Sequence, residues 1–160
     1  MAAYIKFDGV DGEAKEERHR GWSVIDSFSQ GMRQPGSPST GQTRRRGEVV
    51  LDDIVVNKKL DTASPKVAEG MLKGKVYPKV EIHLTSSYAD ARRVTYYAYE
   101  LKNVLVTNYN LIGGSGSQKV PAEEFALNFE EIKVTYTKIN RKGKKQGDIE
   151  YSWKVEEGGA

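Results

Sequence analysis

Chemistry in a protein chain begins with residues that can move a proton, hold a metal or attack a bond. This chain has few of them. Its two histidines are His19, inside the charged run KEERHR, and His83, on the polar side of an alternating segment. They stand far apart with no HxxxH-type ligand spacing, so the pattern predicts ordinary surface histidines and no metal site. Cysteine is absent, which removes disulfides, thiolate zinc sites and cysteine nucleophiles. No GxSxG elbow surrounds any serine, and GGSGS at 113–117 fits neither GxGxxG nor GxxxxGK[ST]; it reads as a flexible surface loop. Carboxylates occur as adjacent pairs, Asp52-Asp53, Glu123-Glu124 and Glu130-Glu131. Neighbours on a strand point to opposite faces, so each pair offers one carboxylate per face and suits solvated charge or an interface better than acid/base work. No catalytic residue, cofactor or metal is expected.

Basic residues are more suggestive. Three arginines, Arg44, Arg45 and Arg46, stand together in PGSPSTGQTRRRGEVV, and further clusters lie at Arg92-Arg93 and from Arg141 to Lys145. A phosphate-binding groove would need them on one face with aromatics for stacking, and nothing in the sequence makes them converge. Because 25 basic residues nearly cancel 22 acidic ones, no uncompensated basic field is implied and nucleic acid is disfavoured as a partner. A monomeric β-barrel that holds nucleic acid or another polyanion through basic loops is the alternative function.

The elements that would position these residues are mostly strands. With 160 residues, 38% of them hydrophobic and 29% charged, the chain is sized and composed as one globular domain spanning 1–160. No apolar run could span a bilayer as a helix. The opening MAAYIKFDGVDGE lacks a basic n-region and an apolar h-region, so no cleavable export signal is expected. The tail EEGGA, residues 156–160, is expected to be disordered. Period-two alternation marks strands at Tyr4 to Phe7, Trp22 to Met32, Glu48 to Asn57, Val80 to Leu84, Val94 to Leu101, Val104 to Tyr109 and Ile149 to Val155. Lys102-Asn103 reads as a tight turn or bulge. In FALNFEEIKVTYT the parity slips at Glu130-Glu131, as a β-bulge would require.

One helix is predicted over about 64–73. Ser64 is the candidate N-cap, Pro65 the first helical position and Gly74 the left-handed stop, with Val67, Ala68, Met71 and Leu72 as the apolar face and Gly70 as a cost of about 1 kcal/mol. Long loops are expected at 35–47, 113–121 and 140–147. The predicted fold is mainly β: a single antiparallel β-barrel or sandwich with one short helix and a long projecting loop.

Taken together, YIKFDGVDGEAKE, WSVIDSFSQGM with its following loop, VVNKKLDTASPKVAEGMLKGKVYPKVEIHL, YELKNVLVTNY, the GGSGS loop and FALNFEEIKVTYT resemble the haemolysin-coregulated (Hcp) tube proteins of type VI secretion systems. The resemblance spans almost the whole chain. It implies a β-barrel subunit without catalytic residues that forms homo-hexameric rings. Such rings stack into a tube, which a contracting sheath drives out behind a spike and which can carry effector proteins. The protein would be cytoplasmic before firing and secreted afterwards, with no membrane insertion.

The resemblance also gives the arginines a place. Family members commonly project a glycine-rich loop here that meets the next ring; in this chain the loop carries Ser37, Thr40 and Arg44 to Arg46 with Pro35 and Pro38. The expected partners across the ring boundary are Asp52, Asp53, Asp61, Glu123, Glu124, Glu130 and Glu131. Alternation in VTYYAYEL sets Val94, Tyr96 and Ala98 against Tyr97, Tyr99 and Leu101, as in a wall between a core and a neighbouring subunit.

Overall fold

The computed structural model describes residues 1–34, 49–88, 92–113 and 120–155. The arm residues Ser37, Thr40, Arg44, Arg45 and Arg46, most of the 113–121 loop and the 156–160 tail lie outside them. Strands β1 (Ala2–Phe7), β2 (Ser23–Ile25), β3 (Ser27–Ser29), β4 (Met32–Arg33), β5 (Val50–Leu51) and β6 (Ile54–Lys59) precede the helix α1 (Ser64–Lys73). Strands β7 (Val76–Ser87), β8 (Arg93–Ile112), β9 (Ala122–Asn128), β10 (Glu131–Ile139) and β11 (Lys145–Lys154) follow it.

All pairings are antiparallel, and the main sheet runs β2-β1-β7-β8-β9-β6-β3, with β10 joined to β8 and β11 joined to β10. Its two ends are consecutive pieces of chain separated only by Asp26, whose N–H donates to the Asn57 carbonyl at 2.8 Å. The result is a curled sheet around one core, not a closed barrel. The single strand expected over 22–32 is accordingly three short pieces, because the segment must change partner from β1 to β6 and then leave the sheet. The small β4-β5 ladder, with Met32 opposite Leu51 and Arg33 opposite Val50, forms the base from which the 35–48 segment departs and returns.

The parity slip at Glu130-Glu131 and the irregularity at Lys102-Asn103 are one feature. Register places Pro78, Asn103 and Glu130 side by side across β7, β8 and the β9-β10 junction. In each strand the buried positions jump by three there instead of two: Tyr77 to Val80, Leu101 to Val104, Phe129 to Ile132. Asn103 takes positive φ (+52°), as asparagine can at modest cost, and its side chain donates to Glu130 at 2.8 Å. Pro78, with no N–H to leave unpaired, suits the same row. The turn or bulge expected at Lys102-Asn103 is therefore a point that the twenty-residue β8 passes straight through, exchanging β10 for β9 as its neighbour.

Helix α1 has the predicted bounds. Gly74 closes it at φ +62°, with its own N–H bonding the Met71 carbonyl and the Lys75 N–H bonding the Gly70 carbonyl. Its start differs from expectation. Ala63 holds the cap position without a side-chain cap bond, while Ser64 is the first helical residue: its Oγ accepts the Asp61 N–H at 2.9 Å, and Asp61 Oδ1 accepts the Ala63 N–H at 3.0 Å. The inward face also differs, being Ser64, Val67, Gly70 and part of Met71, while Leu72 is 83% exposed. Gly70 sits directly against Tyr77, so a residue that looks like a weakness in a helix is what lets β7 lie close.

Candidate assembly interface

The polar residues singled out in the sequence do not form one site. Asp53 accepts Thr107 Oγ1 at 2.6 Å and Asn128 Nδ2 at 3.0 Å; Glu130 accepts Asn103; Glu131 lies 4.0 Å from Lys102; Asp52 is exposed at the base of the arm, and Glu124 is half-buried. Glu123 is fully buried, which takes it off the surface where a partner for the arm would stand. One of its carboxylate oxygens pairs with the equally buried Lys58 and accepts Ser64 Oγ at 2.8 Å, and the other accepts the Tyr109 hydroxyl. Lys58 also donates to Asp61 at 2.8 Å, to Ser64 Oγ at 3.3 Å and to the Lys59 carbonyl at 3.1 Å. Burial raises the Asp61 carboxyl, but hydrogen bonds from Lys58 and Ser23 outweigh it and leave the group below the usual value. Burial and the bond to Glu123 push the Tyr109 phenol up. This network seats the start of α1 on β6 and β9.

The histidines correct a second expectation. His19 is 3% exposed, stacked on Tyr4 with ring centroids 4.6 Å apart and crossed edge-on by Trp22. The irregular segment 8–22 lies over the outer face of β1, held there by Lys6 Nζ through the Val10 carbonyl (2.7 Å), the Gly21 carbonyl (3.2 Å) and Asp11 (2.6 Å). A polar chain runs from Glu16 through His19 (2.5 Å) to His83 (3.0 Å), then to Glu81 (3.3 Å) and Lys79 (3.0 Å). Among the described residues, no three metal-ligating side chains come together.

Burial among Tyr4 and Trp22 holds His19 below its ordinary pKa of 6.5, against the opposing pull of Glu16, and the bond from His83 holds the Glu81 carboxyl at about 2. In the unfolded chain His19 takes up its proton near pH 6.5 and Glu81 near 4.5, before either does in the fold. Stability is thus full above about pH 6.5 and falls as pH drops, first through His19 and below pH 4.5 through Glu81. Urea unfolding at pH 7 and pH 5 should show the wild type weaker at pH 5. His19→Gln, less stable at pH 7 because it loses the stack, should show a flatter pH slope; an unchanged slope would contradict the assignment.

The surface with the plainest capacity for assembly is the arm made by β10, β11 and the first half of β8. Tyr97, Tyr99 and Leu101 lie on the core side of β8, as the VTYYAYEL pattern predicts, with Leu101 and Tyr99 buried. Register continues that face across Val134 and Tyr136 to Tyr151 and Ile149. Near the bend it is core, through Ile132 and Trp153. Farther out it opens to solvent, with Tyr136 46%, Tyr151 45% and Ile149 75% exposed. Strand β11 pairs only with β10, so among the described residues its outer edge offers a row of free backbone donors and acceptors. An exposed apolar face continuous with the core and bordered by an open strand edge is the form of a protein-protein contact.

Comparison with known proteins agrees with this architecture. The sequence profile described as "Type VI secretion system effector, Hcp" matches residues 4–136. A curated relative, "Protein hcp1" of Pseudomonas aeruginosa, is 30% identical over 153 residues, covering 95% of this chain and 93% of the relative. "Major exported protein" of the same organism is 24% identical over 128 residues, covering 80% and 72%. The solved "Structure of a type six secretion system protein" superposes with a TM-score of 0.91 at 26% identity, covering 98% of this chain and 97% of the other. A profile matching from the first strand into β10, joined to a fold shared end to end, means that the chain belongs to the Hcp family of type VI secretion tube proteins.

Proposed function

We propose that this chain is a ring-forming structural subunit, six copies closing head to tail and the rings stacking into an exported tube that can carry effector proteins. The role is mechanical, not catalytic, and the partners are further copies of the chain, the sheath and the spike. Its setting is the cytoplasm before firing and the outside of the cell afterwards; among the described residues no helix is long and apolar enough to cross a membrane. The observation that carries the reading is the exposed Tyr136-Ile149-Tyr151 face beside the open edge of β11. A closed ring needs two different complementary patches on each subunit. This arm supplies one of them.

Stacking is assigned to the arm from the β4-β5 base, with Arg44, Arg45 and Arg46 reaching carboxylates of the adjacent ring, Asp52 among them. Each exposed pair contributes only about 0.2–1 kcal/mol, and sixfold repetition makes the sum matter. The purified protein should scatter light as a hexamer, six times the 17.9 kDa chain, with stacked rings in micrographs at high concentration. Reversing the three arginines to glutamate should leave hexamers intact and shorten the stacks, more clearly at low salt. A monomer at tens of micromolar would overturn the ring reading. Intact stacking in the reversed variant would overturn the arm's role alone.

A further inference from the structure

Two of the basic clusters that the sequence leaves separate meet in space, and a third residue joins them. At the end of the β7-β8 hairpin and the β10-β11 turn is a cleft of about 400 Å³ walled by Arg18, Arg92, Lys142 and Lys145, with Tyr88 and Val94 as its aromatic and apolar sides. Among the described residues no Asp or Glu lines it, and none of the four side-chain cations has a carboxylate within 4 Å. Among the described residues their charges are therefore uncompensated, in a chain whose basic and acidic residues nearly balance overall.

The turn that carries the lysines is built and not loose. Asn140 Oδ1 accepts the N–H groups of Lys142 and Lys144, both at 2.9 Å, and the Asn140 carbonyl accepts the Gly143 N–H at 3.0 Å. Gly143, at φ +80°, lies against the Tyr88 side chain so closely that a Cβ would come within 3.3 Å of it. The turn that carries Lys142 is thus set by its own hydrogen bonds and lies against the aromatic wall.

We propose that this cleft binds a small organic polyphosphate of nucleotide size. Four cations without a carboxylate call for a ligand with more than one negative charge, and guanidinium groups such as those of Arg18 and Arg92 fit phosphate oxygens in pairs. A volume of about 400 Å³ is that of a small-molecule site, not of a groove tracking a polymer. Tyr88 and Val94 give the uncharged ring of such a ligand an apolar surface to lie on. The cleft lies at the tip of the same arm of β8, β10 and β11 but uses none of Tyr136, Ile149 and Tyr151, so its test reads ligand binding and not ring formation.

The test is calorimetric titration of the full-length protein, in its native oligomeric state, with ADP, inorganic pyrophosphate and adenosine at about 50 mM salt. ADP should bind with a Kd in the micromolar range, pyrophosphate about tenfold more weakly, and adenosine not measurably. Arg92→Gln and Lys145→Gln should each weaken ADP at least about tenfold. Tyr88→Ala should weaken ADP while leaving pyrophosphate unchanged. Lys66→Gln, which removes the same charge from the exposed side of α1, is the control for diffuse attraction and should change nothing. No heat with ADP at about 1 mM, or an equal loss in Lys66→Gln, overturns the site. Loss of binding in Arg92→Gln and Lys145→Gln with an unchanged oligomeric state and unfolding midpoint places the failure in the cleft and not in the fold.

Discussion

Replacing Lys58 with methionine will lower the free energy of unfolding by about 3–5 kcal/mol, the cost of leaving a buried charge without its counter-ion. Methionine fills nearly the same volume, so little of the loss comes from a cavity. What remains is Glu123, fully buried, facing Ser64 and Tyr109 with its charge uncompensated, and Asp61, deprived of the bond that holds its carboxyl low. The acid limb should move with it. Asp61 contributes stability that is present above its unfolded pKa of about 3.8 and lost as pH falls through its lower folded value. Without Lys58 that value rises, and unfolding in acid begins at higher pH.

The companion experiment separates the pair from its parts. Adding Glu123→Leu to Lys58→Met should restore much of the lost stability, since an apolar pair of similar volume often matches or exceeds a buried ion pair. Glu123→Leu alone should be nearly as harmful as Lys58→Met alone. Because assembly shifts apparent stability, all variants are compared at one protein concentration. A loss below about 1 kcal/mol for Lys58→Met would mean that the network is solvated and contributes no more than a surface ion pair.

Gly70→Ala should also destabilise, by about 1–3 kcal/mol, although helix propensity alone predicts a gain of about 1 kcal/mol. An added Cβ would stand 2.2 Å from Tyr77 Oη and 3.1 Å from its ring carbon, so either the helix lifts or Tyr77 moves. Tyr77 is fully buried, packs edge-on against Phe7 at 5.0 Å and donates its hydroxyl to the Lys66 carbonyl at 3.2 Å. It has nowhere to go. Tyr77→Phe removes the nearest clashing atom, so the double variant should recover part of the loss, and the coupling in a double-mutant cycle should be favourable. Equal losses in the presence and absence of the hydroxyl would show that the contact is not the cause.

Much of this architecture is legible in alternation and punctuation. The helix bounds follow from Pro65 and Gly74, because one residue fits only a first turn and the other readily takes positive φ. The strands around Val80, Leu101, Phe125 and Ile149 follow from period two. Period two also held information about the buried pair: Lys58 continues the inward set Ile54 and Val56, and Glu123 begins the inward set Phe125 and Leu127. A charge on an inward parity is a signal for a buried ion pair, and a reading of Glu123-Glu124 as solvated charge passes over it.

Other features have no local signature. His19 and His83 are brought together because segment 8–22 folds back over β1, a tertiary choice that leaves no mark on the residues around either imidazole. Arg18, Arg92 and Lys145 meet because two strand turns and that same segment end at one place. The inward face of α1 is Gly70 and not Leu72, since a close approach by Tyr77 outranks the burial of one more leucine.

Sequence alone determined the strand-rich class, the single helix, the family and the parity slip at Glu130-Glu131, all of which depend on residue types at short range. Tertiary structure decided that the slips at Asn103 and Glu130 are one bend shared by three strands, that the sheet curls without closing, and which charges are buried, exposed or gathered. Those outcomes depend on which strands become neighbours. Neighbours are set by the packing of the whole sheet around its core and not by any segment acting by itself.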